Sequence, residues 1–212
     1  MKNLRVDSLL LLLVLSLAPL PTQAQILYSD GPINGTTDGW TINNGFVVSN
    51  TFSVAGTSNN ITGISFGAWL FPGDVLESAE VSITSMEFGG TSFTDQIVNF
   101  TQSGCSGNQY GFNVCTETAN LNQVGLVAGG YWLNLANATV NSGDPVYWDE
   151  NSGPSSASEN SVGTIPAESF TVLGSSTSTT TCFECGVPEP NALVLFGSGV
   201  LGLAGFVRRK LL

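Results

Sequence analysis

Residues 61–71 read ITGISFGAWLF, and the spacing of the large apolar side chains in this stretch decides the fold. Ile64, Phe66, Ala68 and Leu70 fall at every second position. A period of two puts them on one face of an extended strand, whereas a helix needs apolar residues at every third or fourth position. The stretch YWLNLANATV at 131–140 repeats the pattern, with Tyr131, Leu133 and Leu135 on one face and Trp132 and Asn134 on the other.

Outward from these two segments, residues 25–173 continue in the same manner. Short runs rich in Thr, Val, Ile and aromatic residues alternate with Gly, Asn and Ser, and no run keeps helical periodicity for three turns. TINNGFVV (41–48) carries an Asn44-Gly45 hairpin turn, and EVSITSMEFGGTSFTDQIVNF (80–100) reads as two strands joined at Gly89-Gly90. The expected fold is all-β: one antiparallel β-sandwich, jelly-roll-like, over 25–173 and without internal repeats. Trp40 and Trp69 are assigned to its core.

The charge distribution excludes whole classes of function. The five basic residues are Lys2, Arg5, Arg208, Arg209 and Lys210, and the chain has no histidine, while 16 residues are acidic. Nucleic-acid binding rests on Lys and Arg neutralising phosphates, so DNA and RNA are not partners of this body. With no cation to pair with, most of its carboxylates are expected in solvent. Ser-His, Cys-His, Ser-Lys and Schiff-base chemistries cannot be assembled, which leaves a carboxylate pair or a carboxylate-bound metal.

Both ends have the form of targeting segments. Residues 1–24 combine Lys2 and Arg5, an apolar run from Leu9 to Leu17, and small residues before Gln25, the form of a cleaved signal peptide. Residues 174–186 are Ser/Thr-rich and read as a linker. Ala192 to Val207 is an uncharged, mostly apolar stretch of 16 residues, roughly 24 Å as a helix, followed by Arg208, Arg209 and Lys210. It is short against a hydrocarbon core of about 30 Å, but flanking polar residues accommodate such a mismatch. The basic cluster orients this transmembrane helix with its C-terminus in the cytoplasm and the body outside.

Val187, Pro188, Glu189 and Pro190, the glycine-bearing apolar stretch and the Arg208, Arg209, Lys210 cluster together resemble the PEP-CTERM sorting signal of Gram-negative bacteria, here over 187–212. The resemblance implies recognition by a membrane exosortase, removal of the tail, and placement in the cell envelope or the extracellular matrix of a polysaccharide-producing bacterium. GAWLFPGD and YWLNLANATVNSGDPVYWDENSGP also resemble a recurring ectodomain type among exported PEP-CTERM proteins. That resemblance supplies no catalytic residue.

Four cysteines in an exported chain point to disulfides. Of the three possible pairings the local one is favoured, Cys105 with Cys115 across a polar loop and Cys182 with Cys185 in the linker. A four-cysteine zinc site is a poor match to this spacing, and CFEC (182–185) lacks the βαβ context of a redox motif.

The densest polar and aromatic segment is NSGDPVYWDENSGP (141–154). Asp144, Asp149, Glu150 and Asn151 offer oxygen ligands for calcium, although Asp and Asn are also what turns prefer. Adjacent Asp149 and Glu150 should face opposite ways on a strand. Trp132, Asn134, Tyr147 and Trp148 are candidates for stacking on and hydrogen-bonding to sugars, against the ordinary use of large aromatics in packing. The leading reading is a non-enzymatic, surface- or matrix-associated structural protein with no cofactor except a candidate calcium ion. The alternative is a carbohydrate-binding module for extracellular polysaccharide, followed by a carboxylate-based glycosidase.

Overall fold

The structure, a computed structural model, describes residues 24–177. Residues 1–23 of the expected signal peptide 1–24, the remainder of the linker, the sorting motif and the expected helix 192–207 lie outside the described residues, as do Cys182 and Cys185. Among the described residues there are thirteen strands and no helix long and apolar enough to cross a membrane.

The strands are β1 (Gln25–Ser29), β2 (Gly39–Thr41), β3 (Val47–Val54), β4 (Ser58–Leu70), β5 (Leu76–Met86), β6 (Gly89–Asn99), β7 (Thr101–Gly107), β8 (Asn113–Leu126), β9 (Gly129–Val140), β10 (Tyr147–Asp149), β11 (Ala157–Glu159), β12 (Gly163–Ile165) and β13 (Phe170–Thr177). They form two antiparallel sheets. In the first, β4 is central, with β8 and then β7 on one side. On its other side β13 runs beside Ser58–Phe66 and β10 beside Ala68 and Trp69, with β1 outside β13 and β2 outside β10. The second sheet runs β12-β11-β3-β9-β5-β6.

The core lies between the sheets, and the alternation read from the sequence places it correctly. Ile64, Phe66, Ala68 and Leu70 of β4 are fully buried against Tyr131, Leu133 and Leu135 of β9 and the other inward residues. Phe66 meets Trp148 and Phe100 edge-on, and Trp148 meets Phe170 likewise. Trp69 belongs to the outer face: it is buried, but against Tyr110 and Phe112 and with its indole N–H on Asp149 rather than in the core cluster.

Turn chemistry was read correctly in kind and displaced in place. Asn44 and Gly45 both have positive φ (55° and 90°) and Phe46 N donates to Asn43 O, a tight turn. It joins β2 of one sheet to β3 of the other, so it crosses the sandwich and makes no hairpin. The β5–β6 turn lies at Glu87 and Phe88, two residues before the expected Gly89-Gly90, because Phe88 itself adopts the left-handed conformation with φ 53°. The polar loop expected around the first disulfide is largely the β7–β8 hairpin, stapled by Cys105–Cys115 as expected. The last strand continues past Leu173, with Gly174–Thr177 paired to Ile61–Ser58.

Candidate functional site

On the outer face of the second sheet, residues of β3, β9 and β5 stand in cross-strand rows. Trp132 lies between Thr51 and Thr84, Asn134 between Ser49 and Ser82, and Ala136 between Val47 and Glu80. Asn134 is buried and fully engaged: its carbonyl accepts from Ser49 Oγ and Phe88 N, and its amide donates to Thr84 Oγ1 (2.9 Å) and Ser82 Oγ (3.1 Å). It holds the sheet and the β5–β6 turn together and leaves no donor for a sugar.

The bond to Phe88 N shows that the β5–β6 turn folds back over this face, and Ser158 Oγ of β11 reaches Glu87 Oε2 at 2.7 Å beyond it. The folded-back turn walls a groove of about 410 Å³ whose polar side chains include Glu80, Ser82, Asp95, Asn137 and Asn160. Phe88 contributes an aromatic ring that is 40% exposed. Among the described residues, Phe88 and Asn137 are two of the three non-glycine residues with positive φ, a conformation concentrated where binding surfaces need fixed geometry. Asn137 donates to Glu80 Oε2 at 2.6 Å, which fixes one carboxylate in the groove.

The four aromatic and amide candidates do not share a site. Trp132 and Asn134 are on the second sheet; Tyr147 and Trp148 are on the first. Trp148 is fully buried with its indole N–H on Ser169 O (2.9 Å), so no face is open to a sugar. Tyr147 packs edge-on against Phe112 on the outer face of the first sheet, and burial, then the Asp144 charge, raises its phenol pKa.

The four calcium candidates also part company. As expected of neighbours on a strand, Asp149 points outward and Glu150 inward. Asp149, fully buried, accepts from Asn34 N (2.9 Å), Gly35 N (2.8 Å) and Trp69 Nε1 (2.6 Å), so three neutral N–H groups take the place of a cation. Glu150 accepts from Trp40 Nε1 at 3.0 Å. Asn151 donates to Asp30 O and accepts from Gly153 N, and Asp144 is exposed at a turn. Among the described residues no three acidic or cysteine side chains converge on one point.

The expectation that most carboxylates are exposed is overturned: seven of the thirteen acidic residues in 24–177 are buried. The reason is that backbone amides, indoles and hydroxyls supply the hydrogen bonds that cations would otherwise supply. Two buried carboxyls have no partner for either oxygen, Glu117 and Glu168, and neither was singled out from the sequence. Burial pushes Glu117 up to about 8. Burial also raises Glu168 well above the carboxylate range, reinforced by the Glu150, Asp149, Asp38 and Asp30 charges. Period two carries the signal that finds both: Glu117 is in phase with Cys115, Ala119 and Leu121, and Glu168 with Phe170 and Val172.

Comparison with known proteins concerns the other end of the chain. The family model of the PEP-CTERM protein-sorting motif matches residues 186–210. No curated protein matches the chain. The chain therefore carries a PEP-CTERM protein-sorting motif next to its β-sandwich, and such a motif implies an exported, envelope-directed protein processed by exosortase.

Proposed function

We propose that this exported, jelly-roll-like sandwich is a non-enzymatic surface or matrix protein that holds neutral polysaccharide in the groove beneath the β5–β6 turn. The groove itself carries this reading: hydroxyl, amide and carboxylate groups line it, with the half-open Phe88 ring at its wall. Such groups hydrogen-bond sugar hydroxyls, and an aromatic ring covers the apolar face of a pyranose. The absence of any basic residue in 24–177 disfavours anionic glycans and fits neutral ones.

Glu80 and Asp95 both border the groove, the pair a glycosidase would need. Asp95 stands in solvent and Glu80 is only half-buried, without the enclosure that sets a general acid apart from its partner. We read them as acceptors for hydroxyl groups. The apolar 192–207 segment serves in this reading as a transient membrane anchor before exosortase removes it.

A neutral-glycan array probed with the exported protein tests the reading. Binding is expected, weakened at least tenfold by Phe88→Ala and by Asp95→Ala, and unchanged by Tyr110→Ala on the opposite sheet. No binding, or binding indifferent to Phe88, overturns it.

A further inference from the structure

A second polar cluster, independent of the groove, surrounds Asn50. This residue stands on β3 in phase with buried Val48 and Phe52, a position that period two reserves for apolar side chains. Strand pairing brings three other segments to it. β11 pairs with β3 at Ala157 and Asn50, and Thr51 N donates to Ser156 O at 2.9 Å, which sets the preceding Ser155 beside Asn50. Asp30 follows β1 and is tied to the first residue of β13 by Asp30 N to Phe170 O at 2.9 Å, and Glu168 lies just ahead of that strand. Gly153 lets the 151–155 segment close over Asp30, since a side chain there would collide with Asp30 O.

The contacts fall in the order of an acyl-transfer site. Ser155 Oγ donates to Asp30 Oδ2. The same Oγ accepts from Asn50 Nδ2 at 2.6 Å, which leaves it one covalent bond further from the amide carbon. Asp30 Oδ2 also accepts from Asn50 Nδ2 at 3.4 Å, so one carboxylate oxygen faces both the hydroxyl and the amide nitrogen. Tyr28 Oη holds the other carboxylate oxygen at 2.9 Å, and Asn50 Nδ2 donates further to Thr51 O at 3.0 Å. Glu168 N donates to Asn50 Oδ1 at 2.8 Å, the oxygen on which charge builds when the amide is attacked. Asp30, Asn50 and Glu168 are fully buried, so water competes poorly for the amide carbon, while half-buried Ser155 leaves a small product a way out.

We propose that Ser155 and Asn50 are a self-modification site, joined by the folded protein itself in an intramolecular ester. Asp30 Oδ2 takes the proton of Ser155, and Oγ adds to the side-chain carbonyl carbon of Asn50. The Glu168 N–H holds the tetrahedral oxyanion. The C–N bond then breaks, Asp30 passes the proton to the leaving nitrogen, and ammonia departs. One amide and one hydroxyl become one ester and one ammonia, with no change of oxidation state and no further reactant. A body without lysine cannot form a lysine isopeptide bond, so a hydroxyl nucleophile is the one available for such a brace. The ester ties residues with a sequence separation of 105 and braces the second sheet, which the Cys105–Cys115 disulfide of the first sheet does not touch.

Peptide mapping of the exported protein by mass spectrometry tests the bond. A protease that cuts after Asp and Glu releases residues 39–74, which contain Asn50, and residues 151–159, which contain Ser155. The two are expected as one species, lighter than their sum by one ammonia, with fragmentation placing the bond between Ser155 and Asn50. Mild alkali should part them and leave a carboxylate in place of the Asn50 amide. Ser155→Ala should give both peptides apart at full mass, and Asp30→Asn should slow joining at least tenfold in freshly folded protein. The map of the parent decides the matter even where a variant does not fold. Separate peptides of full mass from the folded parent overturn the proposal. So does a bond from Ser155 to Asp30, marked by loss of water in place of ammonia, and so does joining by Asp30→Asn at the parental rate.

Discussion

Glu117 shows what a single side chain can impose on the stability of this protein. It sits on β8 in phase with Cys115 and Ala119, faces the core beside Phe66, and has no partner for either oxygen. Gln102 stands opposite it on β7, with a buried carbonyl that likewise lacks a donor. Burial raises the Glu117 carboxyl from its ordinary 4.5 to about 8, so the folded state keeps a proton that the unfolded chain has released. A raised carboxyl pKa therefore makes stability fall as pH rises from about 4.5 through about 8. Glu117→Gln should flatten that decline in denaturant midpoints. Glu168 acts with the same sign, so the decline should be reduced rather than abolished in the variant. An unchanged slope in the variant would refute the assignment. Both residues were legible in principle, since an acidic residue in phase with core positions is a period-two observation. What hides them is the lack of cations, which suggests that carboxylates stay in water, whereas neutral N–H and O–H donors satisfy the other buried carboxylates and leave these two without a partner.

At the scale of elements, side-chain alternation was the dependable signal and turn identity the weaker one. The faces of β4 and β9 followed directly from period two, because a slip of one residue would turn the whole apolar set to solvent. A turn motif fixes only its own backbone: Asn44-Gly45 forms the expected tight turn, yet which strands it joins depends on pairings made far along the chain, β2 with β10 and β3 with β9. The groove was illegible for the same reason, since it exists only where the β5–β6 turn folds onto Asn134 and Ser158 reaches Glu87. The β7–β8 hairpin gives the prediction at this scale. Its disulfide joins Cys105, at an irregularity between Ser103 and Ser106, to Cys115 opposite Ala68. The 10-residue separation puts the loop-closure contribution at about 2–3 kcal/mol. Replacing both cysteines by alanine should lower unfolding free energy by that amount in guanidinium titrations. A double variant as stable as the parent would show that strand pairing alone holds the hairpin.

For the whole molecule, the arrangement of the strands says where the chain leaves the sandwich. β13 enters at Phe170, beside the acidic end, and runs to Thr177 at the opposite end, where it pairs with Ser58. The route to the sorting motif at 186–210 therefore starts at the end away from Glu168. From Gly174 to Gly186 the composition is dominated by Ser and Thr, as a linker's is. Pro188 and Pro190 lack backbone amide donors and favour extended backbone, the property expected of a motif captured by a membrane enzyme. The basic cluster at 208–210 is expected to orient the segment by the positive-inside rule. Envelope-located protein from cells with an active exosortase should thus lack peptides from 192–210 by mass spectrometry, and cells without the enzyme should retain them. Pro188→Ala with Pro190→Ala should produce the retained form even in enzyme-replete cells, with the Cys105–Cys115 disulfide intact in the exported fraction. An intact tail on the mature envelope protein of enzyme-replete cells would mean that the motif is bound without being cut.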